Sequence, residues 1–324
     1  MDYSKGFSSR YIATIVDPAT WADVEEFDIT GGSIDFDAST ALLQSATLTT
    51  DSMIGEEWIR IYLVAEQNGD EVKTALFTGI TSTPSRKLDG LRITRDITCY
   101  SVLKPASDVL LPIGYYAPKG SGASLIRELI GGEVDGVSPG TAEPIVADQN
   151  ETRLSMARKI ADAIGWQIVI DGYGTIFIKP KSTSSGFTIG AENDIMALSV
   201  TDTSDWYDCP NVLRVVSDTG VAVCRDDRGG RLSVEARGRE IWREEQMPAA
   251  GNIAEYARKR LKELQSPARE LVYVRRFVPG INVGDIVTIN YPSAELVGDF
   301  QILKQSMSLE YGCPVSEKAV YYEH

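Results

Sequence analysis

The feature that constrains this chain most is a two-residue alternation that keeps recurring. In "LRITRDITCY" (91–100), Leu91, Ile93, Arg95, Ile97 and Cys99 share one face, and Arg92, Thr94, Asp96, Thr98 and Tyr100 share the other. Successive side chains of a strand point to opposite faces, so one mostly apolar face marks a sheet packed on one side. Segments rich in Ile, Val, Thr and Tyr recur at 10–16, 45–50, 57–66 and 73–82. Gly31-Gly32, Asn68-Gly69-Asp70 and Asp89-Gly90 punctuate them as turns. Short strands at this spacing predict a small barrel or sandwich over residues 1–102.

The texture changes after Tyr100. Residues 103–122 hold three prolines and read as irregular, and "SLIRELIGG" follows with helical spacing and a Gly-Gly stop. "DQNETRLSMARKIADAIGW" is the best helix in the chain. Leu154, Ala157, Ile160, Ala161 and Ile164 line one face, Asn150 is the expected cap and Gly165 the stop. "WQIVIDGYGTIFIKP" reads as a hairpin around Asp171-Gly172-Tyr173-Gly174. Residues 103–180 are therefore expected to form a small α+β module. Strands return in 181–324 as "FTIG", "ALSVTDT", "VLRVVS", "VAVCR" and "RLSVEAR", with a turn at Asp218-Thr219-Gly220. A helix is expected at 252–265, with Pro267 just past its end, and three more strands follow it. The order is β-rich, α+β, β-rich, and the two β-rich parts share no residue-level repeat.

Composition narrows the function. The 324 residues carry a net charge of −14, which repels nucleic-acid phosphates instead of neutralising them. The one basic stretch, "ARKRLK" (257–262), reads as a solvated helix face. No segment has the pattern of a secretory signal or the length of an apolar membrane span, which places synthesis in the cytoplasm. Cys99, Cys209, Cys224 and Cys313 are scattered and read as free thiols, with Cys209 and Cys224 left open as cross-strand neighbours. The single histidine, His324, removes most histidine-based nucleophile systems and the HExxH zinc sites. No phosphate-binding glycine loop or calcium loop is present.

Paired carboxylates are the chemistry that remains. Glu133 and Asp135, Asp202, Asp205 and Asp208, and Asp226 and Asp227 lie in short acidic clusters that also read as ordinary solvated turns. Asp285, in "NVGDIVTIN", is either an acid facing a substrate or a turn residue at the start of a strand, and the turn reading fits the flanking Gly284. Tyr115-Tyr116 and Tyr321-Tyr322 are candidate anchors or packing residues, the second pair in a terminal tail. No catalytic, cofactor-binding or metal-ligating residue is assigned.

"GINVGDIVTINYP" followed by "GDFQILKQSMSLEYGCPVSEKA" resembles the closing segment of tail hub proteins of bacteriophages and phage-like particles. "DTSDWYDCPNVLRVV" (202–216) and "YSVLKPASDVLLPIGYYAPKGS" (100–121) agree, with Asp208-Cys209-Pro210-Asn211-Val212 as an Asp–X–Pro–Asn–Val stretch opening a strand. The resemblance spans roughly residues 95 to 320. It implies two tube-like β-barrel domains with an α+β module between them, and a homotrimer whose ring of six barrels matches a sixfold tail tube. Its expected partners are further copies of itself, a tube or distal tail protein, a tip or spike protein and the tape measure protein. DNA passes through the channel unbound, and the location is the virion tail. On this reading Asp285 belongs to a hairpin and the chain is not an enzyme. A tail-tip cell-wall hydrolase and a carbohydrate-binding adhesin are the alternatives.

Overall fold

The computed structural model describes residues 1–3, 5–89, 92–190, 196–217, 220–247, 252–266 and 269–322. Gly90, Leu91, Asp218, Thr219, Pro267 and His324, named above, lie outside them. The N-terminal strands are β1 (Ser8–Val16), β2 (Asp23–Asp28), β3 (Gly31–Asp37), β4 (Gln44–Thr50), β5 (Trp58–Gln67), β6 (Asp70–Thr81), β7 (Ser85–Asp89) and β8 (Arg92–Ser101). A module follows with α1 (Lys104–Asp108), β9 (Tyr116–Ala117), α2 (Ala123–Ile130), β10 (Glu133–Val134), β11 (Ile145–Val146), α3 (Arg153–Ala163), β12 (Trp166–Ile170) and β13 (Ile176–Pro180). The rest of the chain forms β14 (Ser185–Gly190), β15 (Met196–Ser204), β16 (Val212–Ser217), β17 (Gly220–Arg225), α4 (Val234–Arg237), β18 (Trp242–Gln246), α5 (Ile253–Gln265), β19 (Arg269–Arg275), β20 (Ile286–Tyr291), β21 (Leu296–Ser308) and β22 (Val315–Tyr321).

The protein is β-rich, with several sheets and few helices. Fourteen strands form one sheet in the order β15-β19-β22-β21-β3-β4-β8-β6-β5-β1-β2, with β14 and β20 branching from β21, and β7 from β8. The described strands form no closed barrel. In the N-terminal half the outer edge of β3 is taken by β21, so it does not return to β2. Apolar residues of β3, β4, β5, β6 and β8 nevertheless converge on one core with Ile34, Leu48, Ile61, Phe77 and Ile97 fully or almost fully buried. A second core gathers Leu271, Tyr273, Val287, Ile289, Phe300 and Ile302 from the C-terminal strands.

The two halves share one strand plan. In the first, β3, β4, β5, β6 and β8 lie in the spatial order 3-4-8-6-5. In the second, β15, β19, β20, β21 and β22 lie in the order 15-19-22-21-20, the same path in the same chain sequence. They differ at the flank, where β1 runs antiparallel to β5 and β14 runs parallel to β20.

Strand β21 joins them. Leu296–Gln301 pair with β20, and Lys304–Ser308 pair with β3. Its inward residues pass from Phe300 and Ile302 in the C-terminal core to Met307 in the N-terminal core. At the boundary stands Gln305, beside Glu317 of β22 and Arg275 of β19. Arg275 Nη2 donates to Glu317 Oε1 at 2.6 Å, Gln305 Nε2 donates to the same oxygen at 2.6 Å, and both charged side chains are 0% exposed. Gln305 Nε2 also reaches the Ile281 carbonyl at 3.0 Å.

The α+β module packs α2 and α3 against the hairpin β12–β13, over a core that includes Ile126, Leu154, Ile160 and Ile178. The cap of α3 is Thr152, whose Oγ1 accepts from Ser155 N at 3.1 Å, and not Asn150. Glu151 is held by Asp148 N, Ser155 Oγ and Lys159, which draws the preceding residues into the helix entrance. Residues 103–122, expected to be irregular, contain α1 and β9, because Pro105 fits the first turn of a helix. "RLSVEAR", expected as a strand, holds α4, capped by Ser233 and closed by Gly238 in the left-handed conformation. This short helix belongs to a small unit in which β17-β16-β18 form a sheet and α5 packs on one face through Ala257 and Leu261. Tyr321 is not in a loose tail. It ends β22 and meets Phe300 edge-on at 5.6 Å.

Breaking one side of a buried ion pair leaves an uncompensated charge. Glu317→Gln is expected to lower stability in urea unfolding by about 3–5 kcal/mol. Replacing Arg275 and Glu317 together by methionine is expected to recover most of that loss.

Candidate assembly interface

The Asp171-Gly172-Tyr173-Gly174 turn is a docking element. Gly172 lies so close to β6 that a Cβ there would sit 2.0 Å from the Ala75 carbonyl oxygen. Thr78 Oγ1 donates to the Gly172 carbonyl at 2.7 Å, and Asp171 Oδ1 accepts from Thr175 N at 2.8 Å to hold the turn. Beneath it Arg60 is buried. Its Nη1 meets Asp23 Oδ1 at 2.7 Å, its Nε donates to Thr78 Oγ1 at 3.0 Å, and its Nη2 reaches the Trp21 and Tyr173 carbonyls at 3.2 and 3.4 Å. Tyr62 donates to Asp23 Oδ2 at 2.6 Å; burial, with that carboxylate, pushes its phenol up to about 12. A seam between the module and the first sheet thus rests on one arginine and one glycine. Neither announces itself in sequence, since Arg60 sits in "EWIRIYLVAE" as a single charge within an apolar run.

A cavity of about 270 Å³ opens where the three main units meet. Phe36 and Gln44 line it from the first sheet, Arg158 and Trp166 from the module, and Val283 and Ile302 from the second sheet. Gln44 Nε2 donates across it to the Ile170 carbonyl at 2.8 Å.

The structure disperses the acids singled out in the sequence. Asp202 pairs with Arg269 at 2.9 Å, and Asp205 Oδ1 accepts from Tyr207 N at 3.2 Å. Asp226 is buried, bonded by Arg228 Nε at 3.0 Å and by Gln265 Nε2 at 3.0 Å, and so fastens the end of α5 to the β16–β17 hairpin. Asp285 Oδ2 accepts from Asn282 N at 2.8 Å, and its carbonyl accepts from Ile302 N at 3.0 Å. Burial pushes its carboxyl up, against the hydrogen bond from Asn282. Gly284 beside it has a φ of +92° and faces Gln167, where a Cβ would come within 2.6 Å of Oε1. Asp285 is a turn residue at the entrance to β20. Among the described residues no group of three or more His, Cys, Asp or Glu is placed to hold a metal ion.

The remaining candidates have local roles. Asn211 of the Asp–X–Pro–Asn–Val stretch is buried; its Nδ2 donates to the Arg239 carbonyl at 2.9 Å and its Oδ1 accepts from Ile241 N at 2.7 Å, just before β16 begins. Arg260 of the basic helix binds Glu245 of β18 at 2.7 Å. Cys209 and Cys224 are free thiols, as are Cys99 and Cys313. Tyr115 packs on the module core, and Tyr116 is exposed beside Val146, its partner across β9–β11. No helix among the described residues is long and apolar enough to cross a membrane.

What the fold leaves open are strand edges. Among the described residues β2 pairs only with β1, β7 only with β8 and β15 only with β19. Unpaired edges are templates for further pairing and are normally covered or blunted. An acidic, solvent-facing strand such as β2, with Glu25, Glu26 and Asp28, is blunted by charge.

The sequence matches no family model and no curated protein. Among solved structures it is similar to the tail protein from Neisseria meningitidis MC58, at 12% identity and a TM-score of 0.72 over 98% of this chain and 97% of that one. It is also similar to the 43 kDa tail protein of prophage MuSo2 from Shewanella oneidensis, at 14% identity and a TM-score of 0.68 over 98% of each chain. A third likeness is to the E. coli c3393 protein, a component of the type VI secretion system, at 8% identity and a TM-score of 0.54 over 92% of this chain and 74% of that one. The chain has the fold of these phage tail and type VI proteins.

For Asp226, burial raises the carboxyl, but hydrogen bonds from Arg228 and Gln265 outweigh it and hold it below the ordinary value of 3.8. A depressed carboxyl stabilises the fold above its unfolded value, and that contribution is lost as pH falls through its folded value. Asp226→Asn is therefore expected to cost about 1–3 kcal/mol near neutrality. The gap between variant and wild type should shrink in urea melts taken progressively below pH 3.8. In a second test, Gly172→Ala is expected to cost about 1–3 kcal/mol through overpacking against β6. Limited proteolysis should then cut more readily around residues 103–180.

Proposed function

We propose that this chain is a structural component of a phage-type tail: a hub that forms a trimeric ring, joins the sixfold tail tube to a threefold tip or spike, and lines the delivery channel. The observation that carries this reading is the end-to-end likeness of its fold to solved tail proteins. The shared strand plan supports it. Each chain holds two sheet units built on one path, so three copies supply six similar units facing a sixfold tube, while the remaining elements repeat three times for the tip. The units correspond to residues 1–102 and 181–324, with 103–180 between them; the open sheets of one chain become tube-like only when neighbours complete the ring.

Its work is binding and symmetry matching, not bond chemistry. Asp202, Asp226 and Asp285 each have a local structural partner, which favours the structural reading over a carboxylate-pair hydrolase. The net charge of −14 per chain suits a channel that DNA crosses without sticking. The partners are other copies of the chain, a tube or distal tail protein above, a tip or spike protein below and the tape measure protein in the channel; the location is the virion tail.

The purified chain is expected to give a mass of three copies by size exclusion with light scattering, and a threefold ring with a central hole in negative-stain averages. A strict monomer at every concentration, alone and with tube protein, overturns the proposal.

A further inference from the structure

The junction inside the chain shows how one unit of the plan takes up the next. β20 pairs with β21 only as far as Gln301, and on Lys304–Ser308 the chain's own β3 pairs instead. In the first unit β6 holds the place of β21. β5 pairs with β6 from Asp70 to Ile80, and after the break at Ser82-Thr83-Pro84 the line continues as β7 along the same partner, β8. β7 is thus the counterpart of the part of β21 that binds β3, and among the described residues no strand lies on its outer edge. The counterpart of β3 in the second unit is β15, which among the described residues pairs only with β19. Each copy therefore keeps one unused donor edge and one unused acceptor edge of a junction it already makes once.

We propose that β7 of one copy pairs antiparallel with β15 of the next, repeating between copies the β21–β3 junction made within each; this rests on the hub reading. The two edges differ, so the contact is head-to-tail and builds a ring, not a twofold dimer.

Side-chain chemistry agrees with the register. The last pairs before the interruption are Thr81↔Cys99 in one unit and Ile302↔Ala319 in the other. Aligned on them, Arg86 takes the place of Met307 and Asp202 the place of Ile34, and Met307 and Ile34 are direct partners. The proposed contact sets Arg86 opposite Asp202, an opposite-charge cross-strand pair, where the internal junction has an apolar pair. Two residues on, Leu88 falls opposite Val200. Leu88 is 65% exposed in the single chain, and Val200 packs at the margin of the C-terminal core. Asp202 already accepts from Arg269, and a carboxylate has capacity for a further donor.

The test uses the full chain. Leu88→Cys and Val200→Cys are made separately, mixed in equal amounts and oxidised, with wild type as the control for the four native thiols. The mixture is expected to yield a disulfide-linked pair of chains that neither variant yields alone, and the doubly substituted chain is expected to link into higher multiples. A particle with the mass of three chains but no link between positions 88 and 200 overturns the edge pairing and leaves the hub reading standing. A strict monomer overturns the hub reading, and the pairing with it.

Discussion

Glu317 sits without solvent exposure between Arg275 and Gln305, on three adjacent strands, at the point where one hydrophobic core gives way to the other. Along β21 the inward side chains run Phe300, Ile302, Gln305 and Met307. Along β22 they run Val315, Glu317 and Ala319. Each strand serves both cores and carries one polar residue at the crossing. A slip of one residue on any of the three strands turns its member of the triad to the opposite face and strands the others in a dry interior. The triad thereby ties the register of β19, β21 and β22 together, and through β21 it fixes where β3 can pair. The joint between the two halves follows from this small polar cluster.

The α+β module is attached by different means. Its hairpin turn reaches the outer face of β6 because Gly172 has no side chain to hold it away, and Thr78 and Arg60 bind the Gly172 and Tyr173 carbonyls from below. One joint is sheet continuity and the other is a polar clamp on a turn. The first makes the two sheet units a continuous structure, while the second holds the module against a sheet whose inner face is already spent on the core. A chain assembled this way presents β edges at the ends of one sheet system, β15 at one end and β2 at the other.

Much of this was legible as local pattern. Alternation in "LRITRDITCY" put Ile97 and Cys99 in the core, where they lie, and the hairpin at Asp171–Gly174 was plain from its turn residues. Asp285 read as a turn residue, and its bond from Asn282 N makes it one. Errors came where neighbouring groups outbid the local signal. Asn150 looked like a helix cap, but Glu151 is bound by Lys159 and Ser155 and shifts the cap to Thr152. "RLSVEAR" alternates like a strand, yet Ser233 and Gly238 close it as a turn of helix. β2, β3 and β22 were missed because acidic and small residues interrupt their apolar alternation.

The sequence by itself determined most of the core strands, the main helices and the order β-rich, α+β, β-rich, because these depend on residue type and spacing within a few positions. Only the tertiary structure decided that the two β-rich parts follow one strand plan, that β21 belongs to both, and that Arg60, Arg275 and Glu317 are buried at joints. The reason is physical. A strand plan is a pattern of hydrogen bonds between backbones, which any sequence with suitable alternation can make, so two halves can share it without sharing residues. Burial of a charge likewise depends on partners far away in the chain, and no window of sequence contains them.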